Sequence, residues 1–264
     1  MVNPIIFSGT GMGGRPLTLI DLLERSEALV NAPVVGLTRA HKGRFEHRKR
    51  YLQIAFNYDL GEAERIIPRL PRSDKIIVEA GTPFIKRYGE IGIRRISQLW
   101  GGKVVADIKT FDGAEMEVEE VARAGATAAT VIAQASTQTL DLFIEKCEAE
   151  GIDSIIDMIG VEKPMAILRE LKQPPKVIVI HRGRDEEGVW GKVIQYKHIS
   201  KIRSKYDVII GAAGGIDLKE ARSAVFNGAD IVIANIVRPE DNWEGISTEE
   251  NISEKVKEFL DAVD

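Results

Sequence analysis

Three charged residues, Asp107, Lys109 and Asp112, lie close together in the otherwise apolar segment VVADIKTFD. Asp107 and Lys109 are two residues apart, so on a β-strand their side chains share one face. A carboxylate and an ammonium group that are buried together must pair or bind a charged ligand. Asp112, three residues later, can approach the same lysine from a loop. The pattern predicts a site for charged chemistry, and a salt bridge without a ligand is the alternative.

A second carboxylate, Glu79, ends the apolar run KIIVEA and is expected to lie beside Asp107. The chain has one cysteine, Cys147, which excludes an intrachain disulfide and a cysteine zinc cluster. Two carboxylates with scattered histidines favour a hard cation, so the predicted metal is Mg²⁺, held by Glu79 and Asp107, rather than Zn²⁺. The alternative is that Glu79 pairs with Lys109 or with a loop arginine.

Phosphate chemistry is indicated by Gly214 and Gly215, which follow an apolar run and precede a helix expected to begin near Asp217. Glycines let the backbone approach a phosphate, and a helix N-terminus supplies free N–H groups. Ala234 and Asn235, at the end of the last apolar run, are expected to add donors. A tight turn without a ligand is the alternative.

Proton transfer is the chemistry predicted for His181, because imidazole titrates near neutral pH. Arg184 follows it in the segment HRGRD and is a candidate clamp for a phosphate or carboxylate. The alternative is that His181 is an ordinary core histidine with its hydrogen bonds satisfied.

These residues need elements that bring them together. From residue 51 onward the sequence alternates regularly between two kinds of segment that could do so. Eight short apolar, β-branched runs alternate with longer amphipathic stretches. Runs of this kind are typical of strands buried on both faces of a parallel sheet. The predicted strands are 51–56, 75–80, 103–109, 129–133, 154–159, 176–181, 207–213 and 230–236. The predicted helices are 60–69, 84–98, 114–124, 136–149, 162–171, 195–204, 217–227 and 249–262.

Eight such units predict a (β/α)₈ barrel, also called a TIM barrel, over residues 51–264. An open doubly wound sheet would show a similar alternation. Active sites of these barrels lie at the carboxyl ends of the strands. The polar residues and glycines at those predicted ends are Asn57, Glu79, Asp107, Lys109, Asp112, Asp157, His181, Arg184, Gly214, Gly215 and Asn235.

Residues 1–50 do not show this alternation of apolar and amphipathic segments. They contain two possible strands, a glycine-rich turn, a possible helix and the basic run 39–50. We expect an N-terminal α/β extension packed on the barrel, without a linker between the two parts.

Composition narrows the class of protein. The 264 residues carry a net charge of −4 and are 44% hydrophobic, which is ordinary for a globular protein. The mild acidity gives no reason to expect nucleic acid as a partner. No apolar run approaches the roughly 20 residues of a membrane span, and the first residues are unlike a signal peptide, so the expected location is cytoplasmic.

Seven segments carry a resemblance to one family. They are LQIAF, EAGTP, ADIKTFD, IIDMIGV, HRGRDEE, AAGGI and GADIVI, in this order between residues 52 and 233. Asp107-x-Lys109-x-x-Asp112 resembles the D-x-K-x-x-D signature of the orotidine 5′-monophosphate decarboxylase suprafamily. Within it the chain looks most like archaeal-type 3-hexulose-6-phosphate synthases, and next like 3-keto-L-gulonate-6-phosphate decarboxylases.

The resemblance implies a (β/α)₈ barrel that forms a homodimer, with Asp112 contributed to the partner's active site. It implies a phosphorylated sugar bound at Gly214–Gly215. It implies that Glu79 and Asp107 associate with Mg²⁺, that Lys109 stabilises an oxyanion and that His181 transfers a proton. The implied reaction joins D-ribulose 5-phosphate and formaldehyde to give D-arabino-3-hexulose 6-phosphate, or runs in reverse.

The chain departs from the family pattern at two strand ends. Asn57 stands where the first strand usually ends in Asp, and Ala234-Asn235 stands where a Gly-Arg pair usually meets the phosphate; Arg238 is a candidate replacement. The segment HRGRD is more like the keto-gulonate decarboxylases. Two alternatives therefore stay open: a decarboxylase acting on 3-keto-L-gulonate 6-phosphate or orotidine 5′-monophosphate, and a non-catalytic sugar-phosphate-binding barrel.

Overall fold

A computed structural model of the chain describes residues 44–189, 191, 193–248 and 251–264. The predicted N-terminal extension, residues 1–50, lies outside the described residues except for its last seven. Those seven lead directly into the first strand.

Within the described part of the chain, eight parallel strands form a closed barrel. Each strand pairs with the next along the chain, and the eighth pairs with the first. This confirms the predicted (β/α)₈ barrel. The strands are β1 (Tyr51–Phe56), β2 (Ile76–Ala80), β3 (Lys103–Thr110), β4 (Ala128–Ile132), β5 (Asp153–Asp157), β6 (Val177–His181), β7 (Ile209–Ala213) and β8 (Ile231–Val237).

A helix follows each of these strands. The helices are α1 (Leu60–Ile66), α2 (Thr82–Trp100), α3 (Ala114–Arg123), α4 (Thr137–Glu150), α5 (Pro164–Leu168), α6 (Ile199–Arg203), α7 (Leu218–Phe226) and α8 (Ile252–Val263). Short 3₁₀ turns cover Ile67–Arg69, Arg184–Glu186 and Tyr196–His198. A two-residue strand, β9 (Ile246–Ser247), pairs with β8 and was not predicted. None of the described helices is both long and apolar enough to cross a membrane.

The core has two layers, as the near-continuous apolar strands predict. One set of side chains packs between the sheet and the helices, and a second set fills the barrel interior. Phe45 is 2% exposed and belongs to the interior set, against Tyr51. Its backbone N–H donates to the buried Asp153 carboxylate at 2.7 Å, at the start of β5. The segment that leads into β1 therefore closes the amino end of the barrel, and the carboxyl end carries the polar groups.

Candidate active site

A chain of charged side chains crosses the carboxyl end of the barrel from β3 to β6. The Lys109 Nζ atom lies 3.0 Å from Asp107 Oδ1 and 2.6 Å from Asp157 Oδ2. The Asp157 carboxylate also lies 2.9 Å from Nδ1 of His181. Three strands thus place an ammonium, a shared carboxylate and an imidazole in direct contact. The predicted convergence of Asp107, Lys109 and His181 is what the structure contains.

The backbone at the end of β3 is irregular, and this irregularity positions the lysine. The pairing of β3 with β4 shifts register between Ala106 and Thr110, and Lys109 has a φ of 50°. Positive φ is uncommon for a residue with a long side chain and costs about 1–3 kcal/mol. The Lys109 N–H is held by the Thr130 hydroxyl at 2.9 Å. Alternation along the strand predicted the shared direction of Asp107 and Lys109, but it did not predict this bulge.

Mutual charge fixes the protonation states in this network. Burial alone would lower the pKa of Lys109, but Asp107 and Asp157 outweigh burial and raise it above its ordinary value. Burial would raise the pKa of Asp157, yet His181 and Lys109 hold it well below its ordinary value. Burial likewise opposes the charged form of His181, and Asp157 more than compensates, so the pKa of His181 is raised. Lys109 is therefore a permanent cation and Asp157 a permanent anion at neutral pH.

The histidine is oriented by this contact. An ionised carboxylate only accepts hydrogen bonds, so Nδ1 of His181 carries a hydrogen and donates a hydrogen bond to Asp157. The second ring nitrogen, Nε2, has no protein hydrogen bond among the described residues. This nitrogen is the one available for proton transfer.

The predicted metal-binding pair, Glu79 and Asp107, lies beside the lysine. Thr82 and Thr130 donate to the two oxygens of Asp107 at 2.7 and 2.8 Å, and Gln53 donates to Glu79. Burial and then the charge of Asp107 raise the pKa of Glu79 to about 7. Two adjacent buried carboxylates that repel in this way are a donor set suited to a cation. Among the described residues no three His, Cys, Asp or Glu side chains converge as a complete metal site. Mg²⁺, which commonly binds one or two carboxylates with water and substrate oxygens, fits this pair.

The structure contradicts one expectation about Asp112, namely that it approaches Lys109 of the same chain. Lys109 instead contacts Asp157, a residue that the sequence marked only as a polar strand end. Asp112 lies in the bend that follows β3, and it is exposed. A carboxylate at the end of β5, which lies two strands from β3 and beside β6, was the signal that could have identified Asp157.

The glycines after β7 make the predicted close approach. Gly214 and Gly215 have φ values of 107° and 60°. A β-carbon on Gly214 would overlap the carbonyl oxygen of Arg182, so the position requires glycine. α7 then begins with Asp217 as its N-cap, which accepts from the Glu220 N–H at 2.6 Å. The structure thus contains a tight glycine turn before a capped helix, and the binding of a phosphate there stays a prediction.

Ala234 and Asn235, the two predicted donor residues at the end of β8, have different surroundings. The Ala234 side chain is fully buried among the outer core residues, so it offers a ligand only its backbone. The Asn57 amide donates to Asn235 Oδ1 at 2.9 Å. The two asparagines that depart from the family pattern therefore contact each other across the barrel seam.

The arginines at the mouth contact protein groups in this structure. Arg184 stacks on the indole of Trp243 at 4.3 Å. Arg238 binds Asp59 at 2.6 Å and Glu62 at 2.9 Å. Its role as a replacement for the phosphate-binding arginine stays a prediction. Sequence reasoning assigned no role to Arg182, whose Nη2 donates to the Gly214 carbonyl at 2.9 Å.

Comparison with known proteins places this site in a family. The chain is 34% identical to the bifunctional enzyme Fae/Hps of Methanosarcina barkeri over 218 residues, which cover 81% of this chain and 52% of that protein. It therefore spans about half the length of the curated relatives that it matches.

Solved structures agree in fold. The structure of 3-hexulose-6-phosphate synthase from Salmonella typhimurium superposes with a TM-score of 0.71 at 25% identity, covering 81% of this chain and 98% of that one. A 3-keto-L-gulonate-6-phosphate decarboxylase from Vibrio cholerae superposes with a TM-score of 0.62 at 20% identity, covering 81% and 99%. Residues 50–235 match the family described as orotidine 5′-phosphate decarboxylase / HUMPS, and the suspected resemblance is confirmed. The chain belongs to the orotidine 5′-phosphate decarboxylase / HUMPS family.

Proposed function

We propose that this protein is a lyase of the aldolase type that interconverts D-ribulose 5-phosphate plus formaldehyde and D-arabino-3-hexulose 6-phosphate. The observation that carries the proposal is the contact network Lys109–Asp157–His181, with Glu79 and Asp107 beside it. The names of the relatives support the same activity.

The reaction moves one proton and forms one carbon–carbon bond. His181 acts in its neutral form, whose population rises with pH because Asp157 raises the pKa of the imidazole. Its Nε2 takes a proton from C1 of the ketose, and the electron pair delocalises to the C2 oxygen. Asp157 stabilises the imidazolium that results. C1 then attacks the carbon of formaldehyde, and His181 returns the proton to the oxygen that was the formaldehyde carbonyl. Atoms balance, since the same proton leaves carbon and arrives on oxygen.

The charge that develops on the sugar needs a cation held in advance. Lys109 remains protonated because its pKa is raised, so it acts as a fixed positive charge and not as a base. When bound by Glu79 and Asp107, Mg²⁺ would supply further positive charge for the developing enediolate. The lysine is oriented by Asp107 and Asp157 before substrate arrives, which reduces the reorganisation needed during the reaction.

The test is a formaldehyde-consumption assay with D-ribulose 5-phosphate, with and without Mg²⁺. We expect Mg²⁺-dependent turnover that Lys109→Ala lowers at least a hundredfold. Lys257→Ala, an exposed lysine on α8, is the matched control and should keep full activity. Absence of turnover, together with CO₂ release from 3-keto-L-gulonate 6-phosphate or orotidine 5′-monophosphate, would replace the aldolase by a decarboxylase. Ligand binding without either product would support the non-catalytic barrel.

We further propose that the protein acts as a cytoplasmic homodimer that shares residues between sites. Asp112 is exposed, and its neighbours Phe111 and Met116 leave 60% and 70% of their surfaces uncovered. Large apolar side chains around an exposed carboxylate suit a surface that a second subunit covers.

A further inference from the structure

One hydroxyl group on β4, that of Thr130, links the backbone and the side chain of Lys109. It accepts a hydrogen bond from the Lys109 N–H at 2.9 Å and donates one to Asp107 Oδ1 at 2.8 Å. The same Asp107 oxygen lies 3.0 Å from the Lys109 Nζ atom. The lysine therefore begins and ends a closed ring of polar contacts that passes through one residue of the neighbouring strand.

This ring lies at the bulge in β3. The regular pairing of β3 with β4 stops after Ala106 and resumes at Thr110. Between these two positions β3 has three residues, 107–109, opposite the single residue Thr130 of β4. The extra residues of a bulge lose their regular ladder partners. Here the Thr130 hydroxyl supplies an acceptor for the N–H of one of them.

Thr130 is well suited to hold this conformation. It is 5% exposed, so water competes little for its hydroxyl. A β-branched side chain is restricted at χ1, which limits the directions in which the hydroxyl can point. Lys109 has a positive φ, a conformation that persists only where the surrounding structure imposes it. The hydroxyl imposes it from one side, and the pairing of the strands imposes it from both ends.

We propose that Thr130 is a positioning residue for the lyase reaction: its hydroxyl holds the bulge at Lys109 together with one oxygen of Asp107, and so determines where the ammonium group meets the substrate. Thr130 acts through these two residues and not on the substrate, because its hydroxyl donates to one of them and accepts from the other. This role rests on the proposed function, which supplies the reaction that the lysine serves.

The first experiment is Thr130→Val, which keeps the shape of the side chain and removes the hydroxyl. We expect kcat for the condensation of D-ribulose 5-phosphate with formaldehyde to fall about ten- to a hundredfold, because a displaced cation stabilises the transition state less well. KM for the sugar phosphate should change by less than about threefold, since the interaction that is lost acts in the transition state. Thr130→Ser restores the hydroxyl and should keep kcat within about threefold of the original.

Thr127→Val is the matched control. Thr127 lies just before β4, and its hydroxyl also makes two hydrogen bonds to β3: it accepts from the Val104 N–H at 2.9 Å and donates to the Val104 carbonyl at 3.1 Å. This substitution removes the same number of hydrogen bonds between the same two strands, but at the amino end of the barrel. It should lower stability and leave kcat unchanged.

A kcat of Thr130→Val equal to that of Thr127→Val would overturn the proposal. If Thr130→Val does not fold, Thr130→Ala takes its place, because the smaller side chain admits a water molecule to the two freed polar groups. The same fall in kcat is expected for it, since a water molecule does not fix the direction of the bulge.

A second readout needs no turnover. Amide hydrogen exchange followed by NMR should be at least about tenfold faster at Lys109 in Thr130→Val, while Val104 keeps its rate. In Thr127→Val the two amides should behave in the opposite way. Unchanged exchange at Lys109 in Thr130→Val would show that the hydroxyl does not hold the bulge, and this too would overturn the proposal.

Failure of the positioning role can be told apart from failure of the proposed function. An active aldolase whose Thr130→Val variant keeps full kcat would contradict the role of Thr130 and leave the reaction in place. An unmodified protein that consumes no formaldehyde would contradict the reaction. The exchange rates at Lys109 would then still decide whether Thr130 holds the bulge.

Discussion

Asp157 is the residue on which the two catalytic groups depend, because it contacts both Lys109 and His181. We predict that Asp157→Asn lowers the pKa of His181, since the charge that stabilises the imidazolium is lost. Turnover should fall about 10²–10⁴-fold, the range for loss of general acid–base catalysis. The measurements are the pH–rate profile and an NMR titration of the imidazole. Exposed Asp185→Asn should change neither, and an unshifted His181 titration in Asp157→Asn would contradict the assignment.

Glu79 gives a prediction about pH and stability. Its pKa rises from 4.5 to about 7 on folding, so the folded protein binds the extra proton between these values. The contribution of Glu79 to the free energy of unfolding is fully present below pH 4.5 and is lost as the pH rises through 7. Glu79→Gln should therefore stabilise the metal-free protein at pH 8, by up to about 3 kcal/mol, and change little at pH 4.5.

Denaturant unfolding in EDTA at both pH values tests this. Glu120→Gln, an exposed position on α3, is the control. Added Mg²⁺ should raise the stability of the unmodified protein at pH 8 but not that of Glu79→Gln. If the free energy of unfolding of Glu79→Gln changed with pH as much as that of Glu120→Gln, the electrostatic account of Glu79 would be contradicted.

At this scale the sequence identified the groups that carry charge but not the groups that support them. Asp107, Lys109 and His181 were predictable because charged residues inside apolar strands require a partner. The hydroxyls of Thr82 and Thr130 were not, since a threonine in or near a strand is ordinary and its partner comes from another strand. The partnership of Asp157 depends on barrel register, which spacing along the chain does not encode.

The element that most depends on its backbone is the loop between β7 and α7. We predict that Gly214→Ala destabilises the protein by about 3 kcal/mol or more, because positive φ and the overlap with the Arg182 carbonyl act together. Gly151→Ala is the control: it ends α4 at a φ of 72° with open space around it, so only about 1 kcal/mol is expected. Chemical denaturation measures both, and equal losses would show that the contact with Arg182 contributes nothing.

The elements themselves were largely predictable. The predicted strand 51–56 matches β1 residue for residue, and the other seven predicted strands differ by one or two residues at their ends. Buried apolar runs, and glycines that end the preceding helices, define the strand positions regardless of tertiary context. The predicted helix 162–171 shortens to Pro164–Leu168, and the predicted helix 195–204 divides into a 3₁₀ turn and α6. Short segments lack the turns needed for a clear helical period, so the packing around them decides.

On the scale of the whole molecule, the exposed surface beside β3 remains to be explained. Asp112 does not contact Lys109 of its own chain, and apolar Phe111 and Met116 flank it. Burying two large apolar side chains gains roughly 1.5–3 kcal/mol each, which favours association through this surface. For the proposed homodimer, we predict that Phe111→Asp shifts the protein towards monomer in light-scattering measurements. The exposed Phe226→Asp on α7 is the control, and a dimer that survives Phe111→Asp would place the interface elsewhere.

A dimer that shares Asp112 makes a quantitative prediction about mixed subunits. Asp112→Ala and Lys109→Ala should each be inactive alone, but a heterodimer of the two regains one complete site out of two. Co-expression in equal amounts gives half heterodimers, so about a quarter of the original activity should return. Asp107→Ala mixed with Lys109→Ala is the control and should restore nothing, because these two residues contact each other within one chain at 3.0 Å. If Asp112→Ala and Lys109→Ala also restore nothing as verified heterodimers, each subunit must contain a complete site.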